Sequence, residues 1–305
     1  MKVLVTGATG FMGTFLCKYL ESNKNYELIK LNSKNCDLTK ENSLSNYNDI
    51  SYDYIYHLAA WTQAGDFCLK HPGEQWIINQ QINTNVLVWW KENQPTAKLI
   101  CMGTSCSYDP ALQLIEDEYM NGLPIESLFT YAMTKRMLYA GLLSINNQFK
   151  QNYMYLVPST LYGPSYHTDD RQMHFIFDLI HKIILGNEYG KEVKLWGDGY
   201  QKRELVYIDD FIKIAVYLSE NYNNDIINIG AGEEYTIRDF AKIISDYLGY
   251  DANNITYDES KYVGAKSKLL NVNKLQSLSG KKLKYTSLSD GLENTINWFL
   301  ENKKV

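Results

Sequence analysis

The chain has 305 residues, 45% apolar and 21% charged, a balance that excludes a disordered or fibrous protein. Thirty Lys and Arg against 35 Asp and Glu leave a net charge of −5, which excludes a broad basic surface for nucleic acid or an anionic membrane. No apolar run approaches the ~18 to 20 residues that span a bilayer, and the start from Met1 to Val5 runs into glycines rather than an export signal. Cys17, Cys36, Cys68, Cys101 and Cys106 are odd in number and lack CxxC spacing, so neither a disulfide framework nor a zinc site is indicated, and a reducing cytoplasm is expected. No clustered His or carboxylate ligands point to a metal.

Lys2 to Thr6 reads as a first strand, Phe11 to Ser22 as a helix and Tyr26 to Leu31 as a second strand. Tyr54 to Leu58, Leu99 to Met102 and Tyr153 to Val157 follow as further apolar strands, each ending in small or polar residues. Strands alternating with helices predict an α/β chain with a doubly wound parallel sheet, whose strand carboxyl ends face a ligand crevice. After Pro164 come a polar stretch, Ser165 to Arg171, a helix from Gln172 to Leu185, a glycine turn at Gly197 to Gly199 and a strand at Leu205 to Ile208. At ~100 to 200 residues per domain, two units are expected. One spans 1–164, with about 204–230 returning to it; a smaller lobe takes most of 165–305.

Gly7-Ala8-Thr9-Gly10-Phe11-Met12-Gly13 sits between the first strand and the first helix. There Gly7 permits the turn, Gly10 lets backbone approach a pyrophosphate and Gly13 lets helix pack on strand, while the helix end offers N–H groups to phosphates. This is the dinucleotide turn of a Rossmann-type sheet. Its second strand ends in Leu31-Asn32-Ser33-Lys34, with no acid to hold the adenosine ribose, which favours NADP(H) over NAD(H). Asp37-Leu38 follows where a carboxylate would meet the adenine amino group.

Tyr131 and Lys135 lie four residues apart on one helix face, an arrangement in which the ammonium is expected to acidify the phenol. The strand ending at Met102 delivers Thr104, a hydroxyl for a ketone oxygen, beside them.

With Gly7, Gly10, Gly13, His57-Leu58-Ala59-Ala60, Asn85, Thr104, Tyr131, Lys135 and Tyr162-Gly163-Pro164 in this order, the chain resembles the extended short-chain dehydrogenase/reductase superfamily. The resemblance implies Leu58, Ala59 and Ala60 beside the cofactor, and a homodimer formed through the helices holding Asn85 and Tyr131. Within it, Gly103-Thr104-Ser105-Cys106-Ser107-Tyr108, Trp196-Gly197-Asp198-Gly199, Arg203-Glu204-Leu205 and Lys268-Leu269-Leu270 resemble segments of the GDP-L-fucose synthases. That likeness implies an NADP(H)-dependent GDP-4-keto-sugar 3,5-epimerase and 4-reductase, with Cys106 and His174 as the catalytic cysteine and histidine. It also implies substrate contacts at Thr104, Ser105, Thr160, His174, Trp196, Arg203 and Lys268. A 4-ketone acidifies the protons on C3 and C5, so one base and one acid suffice for inversion, and the Thr104 and Tyr131 hydroxyls serve both epimerisation and reduction. Arg203 offers a bidentate fork and Lys268 a point charge to the diphosphate.

The chain departs from that family's pattern at Thr104 for serine, at Thr9 where some members carry arginine, at Ser159-Thr160, and across Trp61 to Pro72. The rival readings are a GDP-sugar C4 reductase or dehydrogenase without epimerisation, a nucleotide-sugar 4-epimerase, and a non-enzymatic NADP-sensing module. A 4,6-dehydratase is disfavoured, because no Asp-Glu pair follows the strand at Leu99.

Overall fold

The computed structural model describes residues 1–302 apart from 168, 170, 262–263 and 281–282, so Thr168 and Asp170 of the predicted polar stretch lie outside the described residues. In chain order, β1 (Lys2–Thr6), α1 (Phe11–Glu21), β2 (Glu27–Leu31) and β3 (Tyr54–His57) are followed by α2 (Phe67–Lys70), α3 (Pro72–Asn93) and β4 (Lys98–Met102). Next come α4 (Phe129–Phe149), β5 (Tyr153–Pro158), β6 (Thr160–Tyr162), α5 (Phe175–Tyr189), β7 (Lys194–Trp196), β8 (Lys202–Arg203) and β9 (Leu205–Tyr207). The chain closes with α6 (Ile208–Asn221), β10 (Asp225–Ile229), β11 (Tyr235–Thr236), α7 (Ile237–Leu248), β12 (Thr256–Asp258), α8 (Asn273–Ser279) and α9 (Leu288–Asn302).

Six strands form one sheet in the order β2-β1-β3-β4-β5-β10, every neighbour parallel. The order reverses between β1 and β3, the switch point at which ligands bind in such sheets. Register places Thr6 beside both Leu31 and His57, and His57 beside Cys101, so the carboxyl ends of β1 to β4 open at one edge. Every residue of β4 and β5 is buried, as expected for strands covered on both faces. Helix α3 packs on α4 and α1 on α6, two pairs that the right-handed crossovers of a parallel sheet distribute over its two faces. Lys98 is the charged exception in β4: its ammonium donates to the carbonyls of Ser219 and Tyr222, the latter at 2.9 Å, and so satisfies the end of α6.

A second core gathers Phe177, Ile180 and Ile183 of α5, Phe240 and Ile244 of α7, and Ile296 and Phe299 of α9. Phe11, the first residue of α1, meets this lobe edge-on at Tyr166 (5.4 Å) and Phe177 (5.9 Å), and Tyr166 stacks on Phe177 at 3.8 Å. The glycine turn is thereby tied to the second core. The chain returns to the main sheet through α6 and β10.

Expected boundaries after Pro164 move. The helix predicted from Gln172 begins at Phe175, because the Gln172 amide oxygen is taken by the Asp66 N–H (2.9 Å) and His174, still extended at φ −59° and ψ 151°, caps the helix instead. It runs past Leu185 to Tyr189 and stops at Gly190, whose φ of 63° favours glycine. The strand expected from Leu205 to Ile208 ends at Tyr207: β9 pairs with β6 and gives way to α6 at Ile208, while Arg203 ends β8, which pairs with β11.

Candidate active site

At the glycine turn the three glycines differ in what the protein itself requires. A Cβ on Gly7, at φ +67°, would lie 2.8 Å from the Ala59 nitrogen, and one on Gly13 would lie 2.2 Å from the Gly7 carbonyl oxygen. Gly10 has an ordinary φ of −74° and its nearest atom on the protein side is 3.3 Å away. Helix α1 has no side-chain cap. An uncapped helix end next to a glycine that the surrounding protein barely crowds fits a pyrophosphate approaching from the crevice.

At the end of β2, Asn32 is folded into a turn: its side-chain oxygen accepts from the Lys34 N–H (2.9 Å) and its own N–H donates to Asn35 (2.8 Å). Ser33 and Lys34 are left exposed beside it, with no carboxylate in the turn. Asp37 is exposed and accepts from the Thr39 hydroxyl (2.7 Å) and N–H (3.1 Å), bonds that hold its carboxyl below the usual range. Leu38 is buried, and its carbonyl accepts from Asn85 of α3 (2.9 Å).

A buried relay that the sequence did not announce fixes the end of β3. The Thr6 hydroxyl oxygen accepts from the N–H groups of both Leu58 and Ala59 (3.2 Å each) and so turns its own proton toward His57 Nδ1 at 2.9 Å. His57 Nε2 must then donate to Asn83 Oδ1 at 3.1 Å. Burial pushes the imidazole down to about 4, further than the Asn83 bond raises it, so the ring is neutral as this relay requires.

Thr104, buried at the end of β4, caps a short turn by accepting the Cys106 N–H (3.2 Å), and its hydroxyl is near enough to Tyr131 to favour the phenolate. The acidified phenol expected from the Tyr131 and Lys135 spacing is not found. Burial first, then the Cys106 charge, hold Tyr131 above its ordinary value despite the Thr104 hydroxyl. The Lys135 charge acts on His57 and Cys101 at the ends of β3 and β4, and burial lowers it to about 8. Among the described residues no carboxylate pairs with its ammonium.

Cys106 meets a residue from the far end of the chain: Lys268 donates to its sulfur at 2.8 Å. Burial alone would raise this thiol, but the Lys268 charge and hydrogen bond, then Thr104 and the Arg203 charge, carry it below its ordinary value. His174 is open to the crevice, and its imidazole is held below the ordinary range by the surrounding protein, then by Lys268 and His167. Lys268 thus bonds to Cys106 and acts through its charge on His174, while Thr104 bonds to the Cys106 backbone and influences Tyr131.

Lys268 sits on a strap that two carboxylates hold. Glu204, 1% exposed, accepts the N–H groups of Gly232 (2.8 Å) and Leu270 (3.1 Å). Glu234 accepts the Ser267 hydroxyl (2.8 Å) and the Lys268 N–H (3.3 Å). Arg203 donates to the carbonyls of Lys202 (2.7 Å) and Ala265 (2.9 Å). Ser105 is buried in the turn beside Cys106, and Thr160 is half-buried on β6. Trp196 is 59% exposed on β7, and its side chain makes no hydrogen bond or ring contact among the described residues.

These features are those of a sugar-modifying oxidoreductase built on a dinucleotide-binding sheet. The family model for the NAD dependent epimerase/dehydratase family matches residues 3–230, and the chain belongs to that family. It is 33% identical to the GDP-L-colitose synthase of Yersinia pseudotuberculosis over 99% of both chains. It is 29% identical to the GDP-L-fucose synthase of Dictyostelium discoideum, over 98% of this chain and 95% of that one. A GDP-L-fucose synthetase structure from Naegleria fowleri superposes with a TM-score of 0.86 at 23% identity, covering 99% of this chain and 94% of that one, which shows the shared fold.

Proposed function

We propose that the protein is an NADP(H)-dependent GDP-4-keto-sugar reductase that also inverts a carbon next to the ketone. The observation that carries this reading is the Lys268 contact on Cys106, because it equips with an acidic thiol the same crevice that holds Thr104 and Tyr131. Simple reduction needs no such thiol. Both curated relatives are named for a GDP-linked L-sugar, and a D-configured 4-keto sugar becomes an L-sugar by inversion at C5, the carbon next to the ketone.

The backbone of Gly10 to Gly13 would hold the pyrophosphate, Ser33 and Lys34 the adenosine phosphate, and Lys135 the ribose hydroxyls beside the nicotinamide. When bound, NADPH supplies the hydride for C4. Thr104 and Tyr131 hold the ketone oxygen and stabilise the enolate that forms there. Cys106 removes the proton from the adjacent carbon. His174 returns one on the opposite face: an imidazole held below its ordinary range is a strong acid whenever it carries a proton, and the open crevice lets solvent recharge it. Tyr131 then protonates the C4 oxygen, a task for which a raised phenol is suited, since it stays protonated at neutral pH. Arg203 and the second lobe would take the nucleotide diphosphate.

The test is to mix the purified protein with NADPH and GDP-4-keto-6-deoxymannose. One NADPH consumed per ketone, with a GDP-6-deoxyhexose as product, supports the reading, and failure to oxidise NADPH with any GDP-4-keto sugar rejects it. We further propose a homodimer through α3 and α4, supported by exposed Ile77, Val88 and Met137 on those helices. Ile77→Asp should then give monomers by sedimentation. The five unpaired cysteines support a reducing cytoplasm.

A further inference from the structure

We propose that Lys268 is the positioning residue that keeps Cys106 as a thiolate, and that the Glu234 and Glu204 strap exists to hold its ammonium on the sulfur. The inference rests on the reading of Cys106 as the proton-abstracting residue and adds the source of its charge. Sequence alone assigned Lys268 to the substrate diphosphate, yet its ammonium lies 2.8 Å from the sulfur.

The geometry favours a permanent pairing. A lysine on a free loop would lose much side-chain freedom to keep such a contact. Here the backbone is fixed first: Ser267 and Lys268 bond to Glu234, Leu270 to the buried Glu204, Asn271 to the Leu114 carbonyl (3.0 Å), and the Lys266 carbonyl accepts from Lys202 (2.8 Å). Glu234 uses its oxygens on the Ser267 hydroxyl, the strap backbone and the Lys202 ammonium (4.0 Å), and among the described residues no carboxylate forms an ion pair with the Lys268 ammonium. The charged and titratable groups acting on Cys106 are the cations Lys268 and Arg203 and the neutral acids Tyr131 and Cys68, and the Lys268 charge also acts on His174. Forming the thiolate releases the thiol proton to solvent and leaves the ammonium charged, so the pair is neutral and no other partner is needed.

The experiment follows the pH dependence of iodoacetamide alkylation at Cys106, located by peptide mass, in the wild type, Lys268→Met, Lys268→Arg and Glu234→Gln. The wild-type midpoint should fall below the ordinary thiol value of about 8.5. Lys268→Met should raise it by a unit or more, slowing alkylation at neutral pH by about tenfold, and Lys268→Arg should bring it back toward the wild-type value. A Lys268→Met protein with the wild-type midpoint overturns the proposal. Cys17, Cys36, Cys68 and Cys101 are buried and report unfolding by becoming reactive. If Lys268→Met exposes them, Glu234→Gln decides: an upward shift of the Cys106 midpoint supports the proposal and an unchanged midpoint overturns it. Alkylation needs no sugar. A wild-type enzyme that reduces its substrate without proton exchange would therefore remove the role of Cys106 and leave the origin of its acidity standing.

Discussion

Replacing Gly13 and Gly10 by alanine, one at a time, separates what the fold needs from what the cofactor needs. The Gly13 methyl would stand 2.2 Å from the Gly7 carbonyl oxygen and 2.8 Å from the Ala8 Cα, both backbone atoms that no rotamer change can move. Helix α1 must shift by about 1 Å, an overpacking that costs about 1 to 3 kcal/mol. At about 2 to 4 °C per kcal/mol, Tm should fall by roughly 2 to 12 °C. The displaced helix end should weaken NADPH binding as well. The Gly10 methyl meets only the Gly7 oxygen at 3.3 Å, in a backbone conformation open to any residue. Gly10→Ala should therefore melt within about 1 °C of the wild type yet bind NADPH at least tenfold more weakly, a loss of about 1.4 kcal/mol. Calorimetry and NADPH fluorescence titration read the two quantities. A Gly10→Ala protein that binds NADPH as the wild type does would refute the placement of the phosphates.

Tyr131→Phe removes the proton donor and should lower the rate of ketone reduction by about 10²- to 10⁴-fold while NADPH still binds, measured by single-turnover oxidation of bound NADPH. His57 and Glu204 should oppose each other in the pH dependence of stability. His57 is pushed down to about 4 mainly by burial, so its contribution is complete above its ordinary 6.5 and is lost as pH falls through about 4. Glu204 is pushed up to about 7 by burial, against the N–H bonds it accepts, so its contribution is present below its ordinary 4.5 and is lost as pH rises through about 7. Each is worth roughly 3 kcal/mol, and Glu204→Gln should leave a stability that climbs more steeply between about pH 4.5 and 7 than in the wild type, as read by urea unfolding.

What the sequence disclosed is local. Gly7, Gly10 and Gly13 lie within one turn, Tyr131 and Lys135 on one helix face, and the apolar runs Leu99 to Met102 and Tyr153 to Val157 announce a covered parallel sheet. What it hid joins distant segments. Lys268 reaches Cys106 across 162 positions, and Glu204 and Glu234 hold the strap through backbone N–H groups that carry no residue signature. The Thr6, His57 and Asn83 relay is likewise assembled by strand register. The start of α5 is hidden from the sequence because Gln172 bonds to a turn 106 residues earlier. A lysine one turn from Tyr131 predicts an acidified phenol, but burial outweighs it there, and the Lys135 charge acts on His57 and Cys101.

The most direct measurement runs the reaction in deuterated water with NADPH and GDP-4-keto-6-deoxymannose and reads the product by NMR. Wild-type product should carry deuterium on a carbon adjacent to C4, and Cys106→Ser should yield reduced product without it. Reduction by the wild type with no deuterium beside C4, or undiminished exchange in Cys106→Ser, would contradict a thiol and a phenol sharing one ketone.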